Sequence, residues 1–255
     1  MHPSLLTETG IRTFITKLVA LWDRDSERPF QMTSDYASGS GPVIWSLTNH
    51  TVELARTVVE LSAADRMLVA MPLVRLIIEN AMTIAWLYAS PTATKALVHE
   101  GLRQRRRAIE HVVSLGAAGF DGDSIKKAAD EQEEFVGFRS SQGSSLEQRF
   151  KALEGGDSMY STYRMASALS HAGLTLADQY LIEIPKTREY PLGISFAPDR
   201  TLDVGDAWLG TSATMLLLAM TTCDRVDESR HQKNQLAEAA SKLDLDMTAT
   251  LIGEE

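Results

Sequence analysis

An all-α fold is predicted by three features of the sequence. Apolar residues recur at three- and four-residue steps through most of the chain. Several of the periodic stretches run for twenty residues or more between breakers. The one region with strand-like alternation, around Tyr190, Ile194 and Phe196, is short and rich in proline. The expectation is a single helical domain over residues 1–226, built as a bundle of about seven or eight helices. A short irregular or hairpin insertion falls near 185–203, and a polar C-terminal tail over 227–255 forms at most a loosely packed helix.

Each element has its own signal. Ile11, Phe14, Leu18, Leu21 and Trp22 mark an amphipathic first helix over about Leu5 to Asp23. The run SDYASGSGP closes a polar loop from Arg24 to Pro42, and a second helix follows from Val43 to Leu61. The third helix, Ala64 to Tyr88, ends at Ser90-Pro91, and that proline suits the opening of a fourth helix to Leu115. After GAAGFDGD comes an acidic helix, Ser124 to Phe138, and then a short one, Leu146 to Leu153. Gly155-Gly156 precedes a long late helix from Met159 to Ile184, whose Ala166, Leu169, Gly173 and Ala177 are small or apolar packing residues. A last strong helix starts near Val204 and reaches Cys223. The third helix and the long late helix are expected at the centre.

Composition excludes several classes of function. With 44% hydrophobic and 23% charged residues in 255, the chain can bury a core, and a collagen-like or wholly disordered state is out. The net charge of −9 argues against an extended nucleic-acid coat, while leaving room for a small basic site. The lone Cys223 forbids an intrachain disulfide, which points to a reducing, cytoplasmic setting. The N-terminus lacks the basic start and unbroken apolar run of a signal peptide. Residues 67–89 are the most membrane-like, but Arg75 and Glu79 would each cost about 2.5–3.5 kcal/mol in lipid, so no membrane segment is expected.

Phosphate-loop, dinucleotide, zinc-protease and nucleophile-elbow motifs are all missing, as is the paired Glu-x-x-His of di-iron bundles. No metal and no cofactor is therefore expected. Two polar constellations remain. Arg75 and Glu79 lie four residues apart on one face of the apolar third helix. A charge there needs a partner, so the pair either pins neighbouring helices or presents Arg75 to an anion. On the late helix Tyr160, Arg164, Ser167 and His171 fall within a sector about 60° wide. They form either a satisfied polar seam or a site.

Arg164 and His171, with six residues between them, fit an R-x(4–6)-H pattern. In this the chain resembles HEPN-type helical domains, small bundles of prokaryotic toxin and defence systems. It also resembles uncharacterised bacterial helical proteins that pair an R-x-x-x-E helix, here RLIIE, with a later Tyr…Ser-His helix, here YRMASALSH. The resemblance covers about residues 67–180. It implies metal-independent RNA cleavage at a dimer interface. His171 would be the general acid or base on the 2′-hydroxyl, Arg164 would hold the scissile phosphate, and Tyr160 and Ser167 would assist.

Arg103, Arg105, Arg106 and Arg107 crowd the fourth helix, and Arg105 or Arg106 with His111 matches the same R-x(4–6)-H pattern. Four such neighbours do not share one face. The acidic run Asp130, Glu131, Glu133 and Glu134 is their expected partner, and an anion or RNA patch is the alternative. His50 and Cys223 are expected to be structural. Three functions follow: a defence-type ribonuclease, a non-catalytic module binding a small anion, a nucleotide or a protein partner, and a purely structural or interaction module. The expected partners are RNA or a small anionic ligand, and a second copy of the chain in a homodimer or another protein.

Overall fold

The computed structural model describes residues 7–25, 28, 30–37, 39–90, 93–116, 119–199 and 205–247. α1 (Glu8–Asp25) buries the predicted stripe of Ile11, Phe14, Leu18, Leu21 and Trp22. A single turn, α2 (Ser34–Ala37), leads into α3 (Ser40–Ala63), which begins before the expected Val43. Pro42 falls within its first turn, where a missing N–H costs nothing. At Gly41 a Cβ would come within 2.8 Å of the Tyr36 carbonyl oxygen, so only glycine lets the two segments meet. α3 ends at Ala63, and Asp65, two residues on, turns the chain with a left-handed φ of 56°.

α4 (Met67–Ala89) is the central helix. Val74, Ile77, Ile78, Ala81, Ile84 and Leu87 are completely buried, and α3, α9 and α11 pack around it. By length and composition α4 is apolar enough to cross a membrane, yet 67% of its most apolar stretch is buried inside the protein.

α5 (Ala93–Ser114) is different, burying only Ala93, Ala96, His99 and Glu100. It pairs with α6 (Gly122–Glu133), which starts at a reciprocal cap between Asp121 and Ser124. A 3₁₀ turn at Val136–Phe138, a single turn α7 (Ser141–Ser144) and α8 (Leu146–Lys151) then return the chain to α4.

α9 (Gly156–Ser170) corrects the sequence reading. The long late helix stops at His171, and Gly173 is extended with φ −157°. A single turn α10 (Leu174–Ala177) and a 3₁₀ turn at Asp178–Tyr180 follow. Ala166 and Leu169 are buried as expected, whereas Gly173 and Ala177 are exposed. β1 (Leu181–Glu183) pairs antiparallel with β2 (Ile194–Phe196), Leu181 opposite Phe196, so the hairpin begins before residue 185. Gly193 makes its turn at φ +72°.

α11 (Gly205–Val226) takes the central place expected of the late helix, with Leu209, Leu216, Leu217 and Met220 completely buried. The segment beyond 226 is no loose tail: α12 (Lys233–Leu243) buries Leu236, Ala239 and Leu243 in the same core. A bridge between Met32 and Asp227 ties its start to the segment after α1. The fold is mostly helical with one small hairpin. The single turns α2, α7 and α10 take it beyond the helix count that the sequence predicts. The expected first residue of the first helix, the start of the last strong helix at Val204, the end of the insertion near 203 and the end of the tail lie outside the described residues.

Candidate functional site

The polar residues of α4 and α9 meet. Arg75 Nε donates to Ser167 Oγ at 3.1 Å and to Tyr163 Oη at 3.2 Å, and Arg75 Nη2 reaches Tyr163 Oη at 2.9 Å. The guanidinium also lies 5.3 Å from the Tyr163 ring centre, and its Nη2 sits 3.4 Å from Glu79. Arg75 therefore pins α4 to α9 through its Nε and Nη2. Tyr160 turns the other way, donating to Glu147 on α8 at 3.3 Å and stacking on Tyr163. Burial, reinforced by Glu147, raises the pKa of its phenol, so it stays protonated.

Arg164 is near enough to Glu147 and Tyr160 to favour their charged forms, but neither it nor His171 is bonded into this network. Both are exposed, and no hydrogen bond or ion pair joins either side chain to another described residue. The column predicted on α9 thus divides into two engaged members and two free ones. Tyr163, absent from the predicted column, is the residue that completes the seam. Its signal is the four-residue step to Ser167, facing the only arginine of α4.

A large polar cavity lies elsewhere, on α5. It has a volume of about 510 Å³ and is lined by Arg103, Arg106, Arg107, Glu100 and Glu110, with Gln132 and Arg139 on the opposite wall. His99 and Glu100, 4% and 3% exposed, belong to its inner wall. Four guanidinium groups thus face two carboxylates. Residues 99, 100, 103, 106, 107 and 110 follow steps of three and four, so they form one stripe. Of the expected basic cluster, only Arg105 leaves that face, pairing with Glu131 at 2.9 Å.

The carboxylates act from behind. Glu100 accepts from Arg103 Nε at 2.7 Å, from a second Arg103 nitrogen, and from Gln104 Nε2 at 2.8 Å. These bonds, Arg103 foremost, hold its pKa below the usual carboxylate value. Arg106 Nε donates to Glu110 at 2.8 Å, and its Nη1 to Gln132 at 3.3 Å. The side chains of Arg107 and Arg139 make no hydrogen bond or ion pair with any described residue. The predicted pairing with the acidic run of α6 is thus corrected. Glu131 alone of that run is paired with these arginines among the described residues, because Glu100 and Glu110 of the same helix are nearer partners.

Arg149 of α8, which no sequence motif marks, braces this region. It donates to the backbone oxygens of Gln142 at 3.1 Å and Gly143 at 2.7 Å, and lies 5.4 Å over the Trp86 ring. Burial lowers its pKa, while Glu79 and Glu100 oppose that shift. His50 contacts Asn80 at 3.1 Å, in keeping with a structural role. Cys223 is buried, and desolvation pushes its thiol up to about 12. Among the described residues no cluster of His, Cys, Asp and Glu is arranged to hold a metal ion.

Fold and cavity together define a mostly helical protein with a basic groove on one flank of its central bundle. The chain belongs to the family described as "Family of unknown function (DUF5677)", whose model matches residues 43–186, just over half of the chain. That span runs from α3 through β1 and includes both polar regions. No curated protein and no solved structure matches the chain.

Proposed function

We propose that the protein binds a phosphate-bearing ligand in the cavity along α5, as a non-catalytic recognition module. One observation carries the reading: two uncompensated guanidinium groups, Arg107 and Arg139, share a 510 Å³ cavity with two more, Arg103 and Arg106, fixed by carboxylates. Guanidinium suits phosphate because its planar fork donates two parallel hydrogen bonds. A carboxylate behind an arginine removes rotamer freedom that binding would otherwise have to remove. The volume falls within the about 300–1,000 Å³ of small-molecule sites. A local patch of this kind is compatible with the net charge of −9, since the field at a site follows its neighbours. The single buried thiol goes with a cytoplasmic setting.

The test is thermal unfolding with added inorganic phosphate, pyrophosphate and chloride at matched ionic strength. A ligand that binds only the folded state raises the melting temperature with concentration. Stabilisation by pyrophosphate beyond that by chloride supports the proposal, and equal melting temperatures overturn it.

A second reading, metal-independent RNA cleavage, is favoured by the exposure of Arg164 and His171, which no intramolecular partner occupies among the described residues. In it His171 moves the 2′-hydroxyl proton and Arg164 stabilises the phosphate. A second copy of the chain would cover the exposed Leu174, Leu192 and Phe196 that follow His171. RNA incubated in EDTA with wild-type protein and with His171→Ala decides it. Cleavage lost in the variant supports this reading, and intact RNA with both overturns it.

A further inference from the structure

The stripe on α5 does not end at His99. Three and six residues earlier, Ala96 and Ala93 line a second cavity of about 330 Å³, whose other walls include Trp86, Phe138 and Gln142. Arg139 lines both cavities. The backbone between Val136 and Arg139 runs past the two in order: Val136 on the basic side, Gly137 and Phe138 on the aromatic side. One helix face and one short 3₁₀ turn therefore enclose two adjoining spaces of different chemistry. The space beside the C-terminal half of α5 is cationic, and the space beside its first turns is mixed, with the rings of Trp86 and Phe138 set among Ser90, Ser140 and Gln142.

We infer that the occupant is a nucleoside diphosphate, with its phosphates among Arg103, Arg106, Arg107 and Arg139 and its base in the cavity beside Phe138. This rests on the phosphate reading above and adds to it the class of ligand. The basic cavity has Val136 as its one apolar lining residue, and its one aromatic ring, His99, is 4% exposed, so its stacking surface comes mainly from guanidinium planes. The adjoining one supplies aromatic rings. Phe138 is partly exposed, with Lys95 Nζ 4.4 Å from its ring centre adding another positive charge at the groove. Trp86 Nε1 donates to Gln142 Oε1 at 3.0 Å, which fixes the carboxamide and leaves its N–H₂ as a donor for a base edge. Arg149 holds that assembly from behind through the carbonyls of Gln142 and Gly143. Gly143 has no room for a side chain, because a Cβ there would meet the Ala96 carbonyl at 2.7 Å, so the α7 turn closes directly on α5.

Stacking of a base on an aromatic ring is sequence-tolerant, so the site is expected to accept more than one base. The phosphates supply most of the attraction and its salt dependence, whereas the aromatic cavity sets the preference for a nucleotide over bare pyrophosphate.

Isothermal titration with pyrophosphate, ADP, GDP and UDP tests this, using wild-type protein, Phe138→Ala and Phe138→Leu. At least one nucleoside diphosphate should bind about ten-fold more tightly than pyrophosphate, the factor that modest base stacking gives. Both variants should lose that margin while pyrophosphate affinity stays within about two-fold. The leucine variant keeps apolar volume and so guards against a folding defect. Pyrophosphate binding with no gain from any nucleoside overturns the nucleotide inference and leaves the phosphate reading standing. Retention of the full margin in both Phe138 variants also overturns it. Failure of all four ligands to bind overturns both.

Discussion

α9 and α5 carry similar polar stripes and end in opposite situations. On α9 the donors and acceptors are engaged across helices: Arg75 with Tyr163 and Ser167, Tyr160 with Glu147. On α5 the carboxylates sit on the same helix as the arginines, one turn away, and hold them without covering them. A charge paired across an interface fastens two elements. A charge paired along its own helix stays available to a third party. The first arrangement belongs at the core and the second at a groove. α9 packs on the central α4, whereas α5 buries only four residues.

That contrast breaks first at the glycines. Gly156, at the start of α9, is buried, and a Cβ there would lie 1.7 Å from the Phe150 carbonyl oxygen. Gly156→Ala should cost more than about 3 kcal/mol or abolish folding, as overpacking against backbone does. Chemical denaturation reads it. Next in size, Arg75→Ala strands the Tyr163 and Ser167 oxygens and should cost about 1–3 kcal/mol. In a double-mutant cycle with Tyr163→Phe the two losses should fall short of additive, because they share one bond.

A smaller effect, with a pH signature, is expected at Glu100. Its pKa is depressed in the folded state, so its contribution is complete above the ordinary glutamate value of about 4.3 and is lost as pH falls through the lower folded value. Glu100→Gln should cost about 1–2 kcal/mol at neutral pH and flatten the stability loss below about pH 4. Unfolding midpoints between pH 3 and 7 measure both. The smallest change has the opposite sign. Gly101 lies on the exposed side of α5, where an added methyl group would meet nothing within 4 Å, so Gly101→Ala should stabilise by about 0.5–1 kcal/mol. Thermal melts of the two proteins side by side measure it.

Much of this was legible in the sequence. The apolar periodicity placed α1, α3, α4 and α11 to within a few residues, because each buries a stripe dense enough to dominate its window. That Arg75 needs a partner was legible from a charge in an apolar helix, whereas its partners Tyr163 and Ser167 on α9 were not. What was not legible depends on contacts distant in sequence. The end of α9 at His171 was hidden because Gly173 and Ala177 fit a helical pattern, although Gly173 is extended and Ala177 exposed. The basic cluster was visible as four arginines. The subset that lines the groove, Arg103, Arg106 and Arg107 with Glu100 and Glu110, needed the i, i+3, i+4 steps to be followed through the carboxylates as well. Arg139 follows directly on a 3₁₀ segment with no periodicity, and no local pattern assigns it to that groove.

The most direct test of the phosphate groove is a pyrophosphate titration of wild-type protein and of the double variant Arg107→Ala/Arg139→Ala, at low and at moderate salt. Both side chains are exposed and unpaired among the described residues, so the variant should keep its melting temperature while affinity falls at least about ten-fold and the salt dependence becomes shallower. Equal affinity in the two proteins, or no binding to the wild type, would contradict the account.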